Sequence, residues 1–496
     1  QRIAAGDSRS VLFCSGRWYC LTVCCVWISP CGHYTGVRSR PRRYSHIPTQ
    51  ARGFERGLIV LDDNIPQPWR ARTTLVLTLT LLAMGLGNIQ RMPFLMGEYG
   101  GAPFFVSYLI ALCLLSVPVL IAEVTVGSLG RGSPGLAIHW AASTANVDSR
   151  WRYLGVAQAL LALLLAAVAA FMAAWCLHWA GTLYSGTLAS ASAVDVAQAF
   201  TMRLDDRPAQ LMPMLIVLAV SGAISAMGIR VGMGLLAWVC LPAVAVTLFG
   251  VLDFIFFYSD LRPVEDFIFA RRPSDWSLEA FSQAVVAAGM TLGAGLGVGM
   301  ALGAQAPPGL PWGRSVLAVA VLDTTFLIVT AVIISALLFG ANVSPQGGLS
   351  ALLVGVPYAF ANLPLGETYG ALFFFAMALI SWSAVVVLYE PALMLLANEW
   401  GLGRVSGAIL TSTITAVTAA IALFSADAPL LDVGYWVTRS FLPASILVMA
   451  LFVGWVLPRP ILRGELFREP AWLFRLWWWL LRWCAPICCV LWLILG

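Results

Sequence analysis

Apolar residues along this chain occur in long uninterrupted runs, not in the short alternating patterns of a soluble core. A run of about 18 or more apolar residues is long enough to cross a bilayer as a helix. Such runs predict about 11 spans, numbered here in chain order. Their centres lie near Met84, Leu114, Ala167, Val217, Val244, Gly293, Ile328, Ala378, Ala416, Ile446 and Leu481. The predicted fold class is therefore an all-α membrane protein.

Composition agrees with this pattern, because 60% of the 496 residues are hydrophobic and only 11% are charged. A soluble chain of this length could not bury so much apolar surface. Polar turns rich in Arg, Gly and Pro separate the runs, without an intervening soluble domain. Residues 1–57 are rich in Arg, Ser and Cys and show no sustained period, so we expect a disordered tail followed by a membrane domain at 58–496.

Charge orients the predicted spans. Arginines concentrate in alternate loops, at Arg131, Arg150, Arg152, Arg230, Arg314, Arg404, Arg459, Arg463 and Arg468. The positive-inside rule places these loops and the N-terminus in the cytoplasm, and an odd number of spans places the C-terminus outside. We expect a multi-pass protein of the plasma (inner) membrane, whose partners are the lipid bilayer and a small solute and not nucleic acid.

Catalytic chemistry is not indicated. The 11 Cys and 4 His do not converge at the spacing of a metal site. The sequence also lacks a nucleotide-binding motif, paired catalytic carboxylates and a Ser/His dyad. We therefore expect neither an enzyme nor an organic cofactor.

Two spans are interrupted by helix-weakening residues. In span 1, Gly85, Gly87 and Pro93 lie at about mid-membrane, beside Asn88 and Arg91. Backbone groups freed at that depth are tolerated only where they line a protein-buried or watered cavity. Span 6 repeats the feature at Gly289, Gly293, Gly295, Gly297 and Gly299. Interruptions at the first span of each five-span half predict an inverted-repeat transporter site. The alternative for span 6 is that its glycines only permit close helix packing.

Three carboxylates are predicted inside the membrane. Asp323 lies well within span 7, where a charge is costly, so it should face a cation, a proton path or a partner. Glu123 and Glu390 lie near the ends of spans 2 and 8. Each serves either transport chemistry or hydrogen bonding to the exposed amides of broken helices, and the sequence leaves both open.

The motifs in these segments strongly resemble those of the neurotransmitter:sodium symporter family, and in particular its bacterial, leucine-transporter-like members. The residues that carry the resemblance are GLGNIQRMPF at 85–94, GEYGGAPF at 97–104, IAEVTVG at 121–127, WRAR at 69–72, GIRVG at 228–232, LYEP at 388–391 and ALFVGWVL at 450–457. The resemblance covers nearly everything after the tail. It implies inverted five-helix repeats at about 68–257 and 276–457, broken helices 1 and 6, and an extra helix at about 471–494.

The resemblance also implies two sodium sites. The first would use the Ala83 carbonyl, the Asn88 side chain and Asp323, which replaces the amide usual in bacterial members, while Ala287 replaces a threonine ligand. Asp323 could instead carry a proton. The second site would use oxygens from Leu81, Met84, Ile380 and Ser383, but its last hydroxyl position reads Ala384.

A substrate pocket and two gates follow from the same resemblance. A substrate carboxylate should meet amides around Leu86 and Gly87, with Ala83, Gly85 and Gly289 also in the pocket. Ala169 replaces a tyrosine that caps the carboxylate, and Val286 replaces an aromatic lid, so the pocket should be roomier and less polar. The gate residues would be Arg91, Gln283 and Asp432 outside and Trp69 inside, while Pro66 and Asn398 replace the family's inner ion pair.

These features predict a sodium-coupled symporter that imports a small solute, foremost an amino acid, by alternating access. Proton coupling on the same scaffold remains open because of Asp323 and Ala384. A non-transporting ligand sensor also remains open, because the tyrosine, the lid and the inner gate pair are all replaced.

Overall fold

The computed structural model describes residues 72–259, 261–272, 275–307, 309–344, 348–425 and 430–496, without the side chains of Leu86 and Asn88. The expected tail at 1–57, Pro66 and Trp69 lie outside the described residues.

Nine helices in these ranges are long and apolar enough to cross a membrane. They are span 2 (Ala102–Gly130), span 3 (Ser149–Tyr184), span 4 (Arg207–Ala226), span 5 (Ile229–Tyr258), span 7 (Trp312–Gly340), span 8 (Gly366–Trp400), span 9 (Arg404–Phe424), span 10 (Leu430–Val456) and span 11 (Ala471–Leu495). Shorter connecting helices are Pro134–Thr144, Ala193–Asp205, Arg262–Ile268, Ala351–Ala361 and Arg459–Glu465.

Spans 1 and 6 complete the set, and each consists of two helices. Span 1 comprises Arg72–Ala83 and Leu86–Glu98, and span 6 comprises Leu278–Met290 and Val298–Ala304. The prediction of 11 spans with breaks in the first and sixth is therefore confirmed. Pro93 does not take part in the break, because it lies inside Leu86–Glu98, eight residues beyond Gly85.

The two breaks differ in length. In span 1 only Met84 and Gly85 leave the helix, and Gly85 has extended backbone (φ −59°, ψ 141°). In span 6 residues 291–297 are unwound, with positive φ at Gly293 (66°), Gly295 (82°) and Gly297 (68°). Glycine adopts this conformation at little cost, whereas Leu292, at φ 57°, does so under strain. All of these span 6 residues are buried inside the protein.

Glycines also set the packing around the second half of span 6. The helix Val298–Ala304 packs closely along span 2. A Cβ atom on Gly127 would overlap the backbone of Met300, and one on Gly303 would overlap the backbone of Val124. The glycines of span 6 therefore do both things that the sequence allowed: those in 291–297 form the break, and those flanking it permit close packing.

Candidate functional site

Three oxygen-bearing groups meet where the breaks of spans 1 and 6 face span 7. The hydroxyl of Thr291 donates to Asp323 Oδ2 at 2.6 Å and lies 3.4 Å from the carbonyl oxygen of Ala83. Thr291 and Asp323 are buried, and the buried hydroxyl of Tyr108 on span 2 lies beside both. We call Ala83, Thr291 and Asp323 the oxygen cluster.

The cluster contains two residues that the sequence indicated and one that it missed. Ala83 and Asp323 were predicted to be neighbours, and Thr291 bridges them. The family resemblance implied a threonine ligand one helical turn earlier, at position 287, where this chain has alanine. That position lies in the intact helix, whereas Thr291 is the first unwound residue, where helical spacing no longer tells which way a side chain points. Asn88 lies in the helix Leu86–Glu98.

The electrostatics of the oxygen cluster favour a positively charged occupant. The helices Arg72–Ala83 and Leu278–Met290 both end here, and helix C-termini carry partial negative charge. Adding a buried carboxylate without a compensating charge would be costly. Carbonyl, hydroxyl and carboxylate oxygens are the ligands of hard cations, and protonation of Asp323 would satisfy the same requirement.

The residues expected to form a second sodium site lie where the first half of span 1 packs on span 8. Leu81, Met84, Ile380 and Ser383 are all buried. The Ser383 hydroxyl has no conventional hydrogen-bond partner among the described residues, and its polar neighbour is the Cys240 thiol. A buried hydroxyl whose polar neighbour is a weakly hydrogen-bonding thiol fits a cation ligand, but Ala384 supplies no second hydroxyl.

A cavity of about 450 Å³ adjoins the breaks. Its walls are mostly apolar, from Leu82, Leu165, Val168, Ala169, Met172, Met290, Ala294, Leu296, Leu349, Ala384, Leu388, Leu431 and Leu442. The glycines Gly85, Gly87, Gly289, Gly293 and Gly434 also line it. Polar side chains come from Gln90, Arg91, Ser381, Tyr435 and Thr438.

Four of the predicted substrate residues, Gly85, Gly87, Ala169 and Gly289, line this cavity, whereas Ala83 and Val286 do not. Ala83 directs its carbonyl at Thr291. Val286 is buried against the end of span 11, close to Gly496. The expected lid position is therefore part of helix packing in this structure, because span 11 covers that face of span 6.

One end of the cavity favours an anionic group. The helix Leu86–Glu98 begins there, so its first N–H groups lack intrahelical acceptors and its positive dipole end faces the cavity. Gly85 and Gly87 leave room for close approach. Arg91 lies one turn further, and the amide oxygen of its neighbour Gln90 is buried without a partner in the described part of the chain.

Two of the residues predicted for the outer gate, Arg91 and Gln283, are in contact. Arg91 lies 3.4 Å from both Gln283 Oε1 and Met290 Sδ. Asp432 is exposed and forms no ion pair with Arg91. Tyr435, on the same helix as Asp432, lines the cavity together with Arg91.

Glu123 stabilises the break in span 6. Its Oε1 accepts a hydrogen bond from the Gly295 N–H at 2.9 Å, and the carboxylate also faces the amides of Gly297 and Gly299. The Gly295 carbonyl accepts from Ser445 of span 10 at 2.7 Å. Of the two roles left open for Glu123, the contacts match hydrogen bonding to amides of a broken helix.

Glu390 instead forms an ion pair that the sequence did not indicate. Its carboxylate accepts from both terminal nitrogens of Arg404, at 2.8 and 3.1 Å, and from Gln305 at 2.9 Å. These contacts join spans 8 and 9 to the segment that follows span 6. Asn398, at the position of the family's acidic gate residue, accepts from the Ser133 N–H at 2.8 Å.

Comparison with known proteins agrees with this architecture. The profile of the sodium:neurotransmitter symporter family matches residues 67–198. An uncharacterized sodium-dependent transporter of Haemophilus influenzae is 22% identical over 361 residues, which cover 70% of this chain and 77% of that protein. An uncharacterized sodium-dependent transporter of Bacillus subtilis is 23% identical over 320 residues, covering 62% and 68%.

The first part of the chain, at 67–198, thus matches the sodium:neurotransmitter symporter family, and the two bacterial relatives extend the similarity over most of its length. The crystal structure of MhsT in complex with L-phenylalanine superposes with a TM-score of 0.78 at 23% identity, over 86% of this chain and 99% of MhsT. The leucine-transporter-type fold predicted from the sequence is thus confirmed. The chain is a multi-pass integral membrane protein. The predicted classification as a transporter and not an enzyme agrees with the family profile and the fold.

Proposed function

We propose that this chain is a sodium-coupled symporter that imports neutral amino acids with large apolar side chains by alternating access. The observation that carries the proposal is the adjacency of the oxygen cluster and the cavity, both built on the same two broken helices. Sodium bound in the cluster would fix the position of the Ala83 carbonyl. It would thereby hold the break of span 1 in the conformation that binds the substrate.

Sodium coupling is supported by the ligand chemistry and the relatives. Ala83, Thr291, Asp323 and the Asn88 side chain would supply the first ion's ligands; Leu81, Met84, Ile380 and Ser383 would supply those of a second. Both bacterial relatives are described as sodium-dependent transporters. Inward movement of each charge across the membrane yields about 2.3 kcal/mol per 100 mV, which can drive accumulation.

The substrate class follows from the polar end of the cavity and from its apolar walls. A carboxylate suits the helix start at Leu86 and Gly87, near Arg91, and an ammonium group suits the unpartnered amide oxygen of Gln90. The apolar walls, together with the space left by Ala169, suit a large aliphatic or aromatic side chain.

Alternating access requires two ends that close in turn. The Glu390–Arg404 pair with Gln305 ties together the end of the bundle where the inner gate pair is replaced. We infer that this end faces the cytoplasm, as the positive-inside rule predicts, and that the repeats at 68–257 and 276–457 rock against each other in the plasma (inner) membrane.

Ligand binding to the purified full chain tests the substrate class. A panel of amino acids is added in sodium or choline chloride, and the thermal unfolding temperature is followed. Ligands that bind only the folded state raise this temperature. We expect leucine, methionine and phenylalanine to do so in sodium but not in choline, and glutamate and lysine to have no effect. Stabilisation by charged amino acids alone would refute the class.

Proton coupling is the second candidate, because Asp323 is a buried carboxylate that a proton could neutralise. The variant Asp323→Asn distinguishes sodium coupling from proton coupling. A cation ligand role predicts that the variant keeps sodium-dependent uptake, whereas a proton-carrying role predicts that coupling to a pH gradient is lost. Binding without uptake under any gradient would instead favour the non-transporting sensor.

A further inference from the structure

Span 11 carries an arginine close to its middle. Arg482 lies between Ala471 and Leu495, the ends of this 25-residue span. An ionisable side chain inside a transmembrane helix is costly and calls for a partner. Arg482 forms no ion pair, and its guanidinium donates no hydrogen bond, among the residues that the structure describes.

Aromatic rings surround this guanidinium. Its central carbon lies 4.1 Å from the ring centre of Trp455, 4.8 Å from Trp478 and 5.8 Å from Trp483. Rings stabilise a cation through their electron-rich faces, but they accept few of its five N–H groups. The cation is thus positioned while its hydrogen-bonding capacity remains largely unused.

A second arginine shares one of these rings. Arg459 begins the short helix that follows span 10, and its guanidinium carbon lies 3.5 Å from the ring centre of Trp478. Two positive charges therefore contact one indole, and no acidic side chain pairs with either within the described ranges. Such an arrangement is repulsive unless an anion joins it.

The backbone near Arg482 allows spans 10 and 11 to pack closely. Both helices contain a π-helical turn at this level, Phe452–Val456 in span 10 and Leu480–Cys484 in span 11. Gly454 allows span 10 to approach the backbone of Arg482, and the Trp455 indole N–H donates to the Arg482 carbonyl at 3.1 Å. Spans 10 and 11 are therefore in close contact at Arg482.

We propose that Arg459, Arg482, Trp455 and Trp478 form a binding site for the phosphate of an anionic membrane phospholipid. Helical side chains point toward the N-terminus, so Arg482 extends toward the end of span 11 where Arg459 lies. Trp455 and Trp483 are 47% and 46% exposed on the outer surface of the bundle, where lipid has access. Arginine guanidinium groups bind phosphate through paired hydrogen bonds, and basic pockets between membrane helices bind anionic headgroups.

Native mass spectrometry of the delipidated full-length protein tests this site independently of transport. Phosphatidylglycerol is titrated against phosphatidylcholine with the same acyl chains, and inorganic phosphate is tested as a competitor. We expect phosphatidylglycerol to bind preferentially, and Arg482→Gln or Arg459→Gln to weaken it about tenfold or more. Arg468→Gln is the matched control, because Arg468 lies in the same connection but contacts only Phe467 among the aromatic rings.

Arg459 is exposed at the start of the short helix Arg459–Glu465, so its variant remains informative if Arg482→Gln fails to fold. Equal binding of the two lipids, or unchanged affinity in Arg459→Gln, would overturn the proposal. Displacement of the lipid by millimolar phosphate would also overturn it, since the site would then recognise a free anion.

Discussion

The hydroxyl of Thr291 is the most specific element of the proposed ion site. Thr291→Val keeps the shape of the side chain and removes the oxygen that bridges Asp323 and Ala83. A hydrogen bond to a charged group contributes about 1.5–3 kcal/mol, and a lost ligand oxygen acts in the same direction. At 1.4 kcal/mol per factor of ten, the sodium concentration for half-maximal uptake should rise about 10- to 150-fold.

The assay is uptake into proteoliposomes as a function of external sodium at fixed pH. Thr291→Ser retains the hydroxyl and should stay within about threefold of the unmodified protein. Thr330→Val is the matched control in span 7, because that buried hydroxyl bonds only to carbonyls of its own helix, Phe326 and Leu327. An unchanged sodium dependence in a folded Thr291→Val protein would refute the assignment of Thr291 to the site.

Three further changes test the packing and the cavity. Glu390→Gln should lower stability by about 3 kcal/mol in a thermal unfolding assay, because it leaves Arg404, whose side chain is only 21% exposed, without its charged partner. Glu399→Gln breaks the half-exposed pair with Arg152 and should lower the free energy of unfolding by less than about 1 kcal/mol. Equal losses in the Glu390 and Glu399 variants would contradict this account. Gly127→Ala should lower the free energy of unfolding by about 1–3 kcal/mol or more, because the added methyl group pushes span 2 away from span 6. Gly181→Ala is the control: its methyl group would enter open space, so the change should be neutral or stabilising. The opposite order of effects would exclude close packing at Gly127. Ala169→Tyr should weaken phenylalanine binding more than alanine binding, because the larger side chain fills part of the cavity. Ligand-induced thermal shifts measure both, and an equal loss would show that Ala169 does not set the size of the cavity.

The sequence predicted the fold well because its signals are local. Runs of apolar residues indicate spans whatever lies next to them, and the Gly85–Gly87 motif weakens span 1 by its own backbone properties. The break in span 6 was likewise indicated by its glycines, although the sequence could not separate those that unwind the helix from those that permit packing. That distinction depends on which helix lies opposite, as with Gly127 and Met300.

The site was less predictable because its contacts join distant segments. Thr291 and Ala83 are 208 residues apart, and Thr291 follows the last helical residue of its segment, so helical spacing does not give its direction. Span 11 presented the same difficulty, because its sequence does not show which neighbouring span it packs against, and in the structure it covers Val286, the expected lid position. Side-chain partners across helices follow from packing, which a single sequence does not specify.

Uptake of a labelled mixture of neutral amino acids into proteoliposomes, with an inward gradient of sodium or of choline at fixed pH, tests the central claim most directly. The account predicts concentrative uptake with sodium and only background with choline. Equal uptake in both salts, or none in either despite ligand binding, would contradict sodium-coupled symport.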